Sequence, residues 1–338
     1  MTNVRWAIAG TGRMAAEMAT SFREVTNGDL VAVGSRSPQR ARAFADEHGI
    51  PAAFGSYRKL VASPDIDAVY IATPHPQHTP IALAAIACGT PVLVEKAFTA
   101  TVADTERVID AARAAGVFAM EAMWTRFNPG VVRVRELLAD GAIGQLRGIQ
   151  GDLTAFRPYE PTDRIFDPTL GGGAVLDLGV YVLSFAQHFL GIPDVVHAVG
   201  GRLPSGVEGE FGALLGYRDG RSATLSAAFT AHGPGRMVLL GTQGWIEVHP
   251  RFHRAPTITL WRDKLPETLN FTPGYHHEVI HVGACLAQGR TESLIMPLDD
   301  TLAVQRLMAE VLAQLGQARP GKPGGGAGAA PSTPGPAQ

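Results

Sequence analysis

Cysteine is nearly absent. Cys88 and Cys285 are the two in 338 residues, and two such distant thiols cannot make the framework of a disulfide-stapled secreted domain. A reducing compartment is the simpler reading. An excess of either charge is also missing: 29 Lys and Arg face 31 Asp and Glu, a formal net of -2. That balance argues against nucleic acid or an anionic membrane surface as a partner. The opening residues run from Met1-Thr2-Asn3 straight into a strand pattern, without a basic leader and apolar core, and no apolar run reads as long enough to span a bilayer. These absences point to a cytoplasmic protein with a small-molecule partner. What is present is apolar residue in ordinary measure, 46%, enough for two compact domains with separate cores.

From Val4 to about Met123 short apolar runs alternate with helix-period stretches. Val4–Ala9, Leu30–Gly34, Ala68–Ala72, Pro91–Val94 and Val117–Glu121 read as strands, with helices over Ser37–His48, Gln77–Cys88 and Thr101–Ala115. Buried strands alternating with helices at this spacing predict an α/β fold, a doubly wound parallel sheet over residues 1–123 with its ligand at the carboxyl ends of the strands. After Trp124 the pattern changes. Helices near Pro129–Asp140 and Ala174–Leu190 are followed by strand-like runs at Val195–Gly200, Phe211–Tyr217, Ala223–Thr230, Met237–Gly241, Trp245–Val248 and Thr257–Trp261, then by helical stretches Tyr275–Gln288 and Asp300–Leu315. Strands joined by turns predict an α+β domain over residues 124–318 with a large, mostly antiparallel sheet. Residues 319–338 are almost entirely Gly, Pro, Ala and Ser, a composition expected to stay disordered.

The first strand ends in Gly10-Thr11-Gly12-Arg13-Met14-Ala15, a G-x-G-x-x-A fingerprint opening a helix. The first glycine permits the tight turn, the second lets a pyrophosphate approach the backbone, and Ala15 lets helix and strand pack closely. The fingerprint alone is weak; following a strand and opening a βαβ unit, it marks a Rossmann dinucleotide site. At the end of the second strand, where an NAD site places a carboxylate, stands Gly34-Ser35-Arg36-Ser37, with Arg40 one turn beyond. Guanidinium forks and hydroxyls suit a 2'-phosphate, so the cofactor expected is NADP(H), although Arg36 and Arg40 are also what a solvated helix start looks like.

Three further motifs follow in order: Ala72-Thr73-Pro74-His75-Pro76-Gln77-His78, Val94-Glu95-Lys96, and Asp177-Leu178-Gly179-Val180-Tyr181. Together they resemble the Gfo/Idh/MocA oxidoreductase family. Glu121-Ala122-Met123-Trp124-Thr125-Arg126-Phe127 and the stretch from Gly171 to Tyr181 resemble its dimeric dihydrodiol dehydrogenase and NADP-dependent D-xylose dehydrogenase branch. The resemblance implies that the loop of Thr73, His75 and His78 lies against the cofactor ribose and nicotinamide, that Glu95 and Lys96 flank the nicotinamide, and that Lys96 contacts the reacting oxygen. Ala97 stands where the family carries proline. It also implies a homodimer or higher homo-oligomer.

Asp177 and Tyr181 fall i,i+4 on one face of the expected helix. The branch carries tyrosine at the second position, as here. A neighbouring ammonium such as Lys96 would favour its phenolate, which makes Tyr181 the candidate general acid/base. The expected reaction moves a hydride between the cofactor and a carbinol carbon while Tyr181 handles the proton, Lys96 stabilises the oxyanion, and Asp177 orients substrate or lysine. Trp124 and Phe127 read equally as a platform for a substrate ring and as interdomain core. His75 and His78 lack the further ligands a metal pair needs, so no metal is expected, and His276 and His277 read as surface histidines. Substrate candidates are a sugar, a cyclic polyol or a trans-dihydrodiol. A nucleotide-retaining glycosidase and a non-catalytic NADP-binding regulator are the alternatives.

Overall fold

The computed structural model describes residues 3–262 and 265–316; the expectation for residues 319–338 falls outside them. The first half of the chain alternates as β1 (Val4–Ala9), α1 (Arg13–Ser21), β2 (Gly28–Gly34), α2 (Pro38–His48), β3 (Ala52–Phe54), α3 (Tyr57–Val61), β4 (Ala68–Ile71), α4 (His78–Ala87), β5 (Val92–Glu95), α5 (Val102–Ala115) and β6 (Ala119–Ala122). Its six strands order β3-β2-β1-β4-β5-β6, all in parallel pairs. The order reverses between β1 and β4, which opens a crevice at their carboxyl ends for a ligand. Local chemistry sets the helix limits. Ser37 caps α2 by accepting from the Arg40 amide, Thr101 caps α5 by accepting from the Asp104 amide, and each helix ends on a left-handed glycine, Gly49 and Gly116, as glycine readily allows.

The second half continues with α6 (Pro129–Ala139), β7 (Leu146–Thr154), α7 (Val180–Leu190), β8 (Val195–Arg202), β9 (Glu208–Gly216), β10 (Ser222–Ala228), β11 (Met237–Gly241), β12 (Gly244–Val248), β13 (Thr257–Arg262), β14 (Leu265–Asn270), α8 (His276–Ala287) and α9 (Leu298–Gly316). Its eight strands order β14-β13-β12-β11-β7-β10-β9-β8, antiparallel except where β10 runs parallel to β7. The chain is thus the α/β Rossmann sheet plus mostly antiparallel sheet that its patterning predicts. One face of the large sheet packs on α7 and buries Ile149, Leu153, Leu225, Leu239 and Ile246. The other leaves Val195, Val199 and Leu214 exposed and carries the stacked pair Trp245 and Trp261, centroids 4.9 Å apart.

Three strands depart from the sequence expectation. β3 is a three-residue, half-buried strand, too short for a period. β7 sits mid-sheet although its sequence, Leu-Arg-Gly-Ile-Gln-Gly-Asp-Leu-Thr, holds two glycines and charged residues; pairing on both sides outweighs its poor intrinsic preference. β14 contains Pro266, tolerated because the strand is at the sheet edge. The stretch expected as one helix over Ala174–Leu190 divides into a π-helical turn, Val175–Gly179, followed by α7. The segment Pro168–Leu190 is, against expectation, long and apolar enough to cross a bilayer, but its most apolar window is 78% buried within the protein, as befits a core helix.

Candidate active site

Two adjoining cavities open at the switch point. The first, of 440 Å³, is bounded by Gly10, Thr11 and Gly12 and, across it, by Ser35, Arg36, Ser37 and Arg40. Gly10 adopts φ +134°, and a Cβ there would come within 2.5 Å of the Ala72 carbonyl oxygen, so only glycine makes this turn. At Gly12 a Cβ would meet nothing within 4 Å. Gly12 caps α1 without a side-chain hydrogen bond, and the first turn holds no acidic residue, leaving amide donors and a positive helix end free for an anion. Thr73 lines both cavities, and its buried Oγ1 has no partner. Among the described residues no carboxylate lines the first cavity. An open glycine cradle, an orphaned hydroxyl and two arginines therefore suit a phosphate-bearing dinucleotide.

The second cavity, of 320 Å³, lies between the two sheets and is lined by Lys96, Asp177, Tyr181 and Trp124 along with Arg13, Met14, His75 and Glu95. Lys96 leaves the end of β5. Its Nζ donates to the Asp177 carbonyl oxygen at 2.8 Å, lies 3.7 Å from Asp177 Oδ1, and sits 4.7 Å from the Tyr181 ring centroid. The accepting carbonyl belongs to the π-helical turn, a wide turn that recurs at functional sites. Trp124 Nε1 donates to the Tyr181 hydroxyl at 3.1 Å, and the Trp124 ring stacks on Tyr275 with centroids 4.1 Å apart. Asp177 also pairs with Arg164 at 3.4 Å. Despite its burial, Asp177 is held below the usual carboxylate range by Lys96 and Arg164. The Lys96–Ala97 peptide is cis, and Ala97 is fully buried.

The expectation that Lys96 would favour a phenolate at Tyr181 is corrected. Burial first, and then the Glu95 carboxylate, push the phenol well above its ordinary value, against the opposing Trp124 donor. The resting group is a neutral phenol. Glu95, buried, accepts from the Tyr70 hydroxyl and from the Lys96 amide at 3.1 Å, and burial raises its own pKa.

Two more expected site residues stand apart from both cavities. His78 is fully buried, with Nε2 2.7 Å from the Thr73 carbonyl oxygen and Nδ1 at 3.1 and 3.2 Å from those of Ala97 and Phe98. It ties the loops together rather than facing a ligand. Phe127, at the end of the short 3-10 turn Trp124–Phe127, is buried against His281, ring centroids 4.9 Å apart. His75 lines the second cavity between two carbonyl oxygens, Nδ1 2.9 Å from that of Gly171 and Nε2 3.3 Å from that of Lys96, and a neutral ring donates to one of them. Burial lowers its pKa to about 3, so the ring is neutral. Among the described residues no cluster of His, Cys, Asp and Glu has the form of a metal site.

Both halves of the chain match family models. Residues 4–123 match the oxidoreductase family's NAD-binding Rossmann fold, and residues 131–247 match the GFO/IDH/MocA C-terminal domain. The chain belongs to the Gfo/Idh/MocA oxidoreductase family. It is 35% identical over 326 residues to trans-1,2-dihydrobenzene-1,2-diol dehydrogenase of Xenopus laevis, covering 92% of this chain and 98% of that one. The mouse enzyme of the same name is 33% identical, over 91% of this chain and 95% of its own. Among solved structures, the aldose-aldose oxidoreductase of Caulobacter crescentus, complexed with glycerol, superposes with a TM-score of 0.84 at 26% identity, covering 92% of this chain and 97% of that one.

Within this Gfo/Idh/MocA chain, several cavity residues escape sequence reasoning. Tyr275 reaches Trp124 from the start of α8, about 150 residues away in sequence, as no local period foretells. Arg157, Arg164, Arg251, His253 and Arg254 line the second cavity as well. The one available signal was Arg251-Phe252-His253-Arg254, a basic cluster framed by Pro250 and Pro256 between two strands. Arg126, from the same motif as Trp124, is a buried cross-brace: it donates to Asp300 Oδ2 at 2.5 Å and to Gln187 Oε1 at 2.6 Å.

Proposed function

We propose that this oxidoreductase is an NADP(H)-dependent dehydrogenase that interconverts a CH–OH and a C=O group on a sugar, a cyclic polyol or a trans-dihydrodiol, working as a homo-oligomer in the cytoplasm. The observation that carries the reading is the convergence of Lys96, Asp177 and Tyr181 on one cavity that adjoins the glycine cradle. Ser35, Arg36, Ser37 and Arg40 are the groups that favour a 2'-phosphate over a bare ribose. Burial raises the Tyr57 phenol, while Arg36 and Arg40 oppose that shift, so both positive charges are felt where this phosphate would sit. The relatives named for dihydrodiol and aldose chemistry support the substrate class.

The bound dinucleotide supplies the hydride acceptor or donor; the chain supplies the rest. The neutral Tyr181 phenol donates a proton to the carbonyl oxygen during reduction, and its phenolate takes the proton from the carbinol during oxidation. Lys96 Nζ stabilises negative charge on that oxygen. Asp177 holds the lysine through its carbonyl and carboxylate, which keeps the ammonium over the phenol ring. Trp124 and Tyr275 form an aromatic wall suited to the apolar face of a ring. The test is production of NADPH from NADP⁺ with a panel of aldoses, polyols and trans-dihydrodiols. Turnover that disappears in Lys96→Met and Tyr181→Phe is the expected result. Cleavage of glycosides without net NADPH would mark a glycosidase instead, and dinucleotide binding without either reaction a regulator.

A further inference from the structure

The wall of the second cavity is unbalanced in charge. It presents six cationic side chains, Arg13, Lys96, Arg157, Arg164, Arg251 and Arg254, against two carboxylates, Glu95 and Asp177, in a chain whose formal net charge is -2. Both carboxylates are already engaged, Glu95 by Tyr70 and the Lys96 amide, Asp177 by Lys96 and Arg164. Arg13, at the start of α1, lies where the helix end meets a pyrophosphate. A 2'-phosphate belongs in the neighbouring cavity beside Arg36 and Arg40. Lys96 and Arg164 flank Asp177; the positive charge still without a carboxylate, on Arg157, Arg251 and Arg254, belongs to the antiparallel half of the molecule.

Arg157 follows β7, and Arg251 and Arg254 lie in the loop between β12 and β13. Among the described residues none of the three pairs with a carboxylate; the Arg157 guanidinium donates only to the Phe156 carbonyl oxygen, at 3.5 Å. Between Arg251 and Arg254 stands His253, 8% exposed, lining the same cavity with its buried Nδ1 unpartnered. Burial, then Arg254, Arg251 and Lys96, lower its pKa to about 3, so the imidazole is a neutral polar group ringed by positive charge. Exposed guanidinium groups without a carboxylate, on the same cavity as an unpartnered buried ring nitrogen, offer donors to an acceptor-rich ligand.

We propose that the substrate of this cavity carries an anionic group, a carboxylate or a phosphate, held by Arg251, Arg254 and Arg157 at a distance from the carbinol carbon addressed by Tyr181 and Lys96. This inference rests on the dehydrogenase reading of the same cavity. A guanidinium fork matches either anion in geometry, and a cavity wall with this excess of positive charge draws an incoming anion.

The test uses the full chain saturated with NADPH and three probes that share one ring: D-glucose, D-glucuronate and D-glucose 6-phosphate. Titration calorimetry at low salt is expected to show one of the anions binding roughly tenfold or more tightly than glucose, with the advantage shrinking as salt rises. Preference for glucuronate assigns a carboxylate, and preference for the 6-phosphate a phosphate. In R251E/R254E, and separately in R157E, the advantage should vanish while the affinity for NADPH stays within about twofold; circular dichroism checks the fold of each variant. Equal binding of all three probes overturns the proposal. So does a preference that survives both variants, or a loss of NADPH affinity, which would make these arginines a cofactor clamp. Turnover is read separately. Anion preference in binding with no dehydrogenation of the panel substrates or the three probes would keep the anion site and sink the dehydrogenase reading with the carbinol it supplies, whereas turnover without anion preference would keep that reading and overturn the anion site.

Discussion

Lys96 Nζ lies 4.7 Å from the centre of the Tyr181 ring, so an ammonium from the end of a parallel strand rests on a phenol carried by a helix beneath the antiparallel sheet. The two residues are 85 positions apart, and each is held by a different half of the molecule. Asp177 joins them through its 2.8 Å carbonyl contact with the lysine.

The raised pKa of Tyr181 has a definite consequence for pH dependence. Oxidation needs the phenolate, whose fraction grows as pH rises toward a value above the ordinary 10.0. The oxidative kcat is therefore expected to climb through the alkaline range without a plateau near neutrality, whereas reduction, which uses the abundant neutral phenol, should change little from neutral pH to about pH 9. Steady-state profiles in both directions check this. Tyr181→Phe should lower kcat by roughly 10²–10⁴-fold and flatten the oxidative profile; a variant that retains the wild-type slope would remove Tyr181 from the chemistry.

Cofactor choice should reside in Arg36 and Arg40, exposed residues beside the first cavity. Replacing both by alanine is expected to raise KM for NADP⁺ by roughly 10–100-fold and to move KM for NAD⁺ by less than about twofold. Equal losses for both cofactors would mean that the arginines do not read the 2'-phosphate.

The buried Arg126 brace predicts a stability effect without a catalytic one. Arg126 is 2% exposed and bonds to Asp300, Gln187 and Ser184. Asp300→Ala leaves its charge buried with fewer partners and should cost about 3 kcal/mol in chemical denaturation, with kcat unchanged once the protein is folded. A loss smaller than about 1 kcal/mol would show that the brace is dispensable.

Glu278 offers a test of linkage. It is fully buried with neither carboxyl oxygen partnered, and burial, followed by Glu95 and Glu121, pushes its pKa well above 4.5. A raised carboxyl pKa means that the unfolded chain releases this proton first. Stability is therefore full below about 4.5 and declines as pH climbs toward the folded value. Glu278→Met should be more stable than the wild type at pH 8, and the difference should shrink at pH 5; melting temperatures of the two proteins at both pH values decide.

The exposed face of the large sheet, with Val195, Val199 and Leu214, is the surface through which the proposed homo-oligomer would form. Val199→Glu combined with Leu214→Glu should convert it to a monomer by light scattering. An unchanged mass would exclude this face.

Much of the architecture was legible because it is written locally. The fingerprint at Gly10–Ala15, the cap residues Ser37 and Thr101, and the alternation of buried strand with helix are short-range patterns. β7 was not legible, since its place mid-sheet comes from partners more than 70 residues further along the chain, in β10 and β11. His78 and Phe127 had the right neighbours in sequence but point away from the cavities, a matter of loop and turn direction that spacing does not encode.

The amino-acid sequence by itself determined the dinucleotide cradle and the two-sheet plan, because each is written in residue types at short range; the candidate lysine, aspartate and tyrosine came from the resemblance of their motifs to a family. Tertiary structure alone decided that Tyr181 rests as a neutral phenol, that Tyr275 stacks on Trp124, and that unpaired arginines from separate loops share one wall. Burial and long-range electrostatics depend on which distant segments meet, and that meeting exists only once the chain has folded.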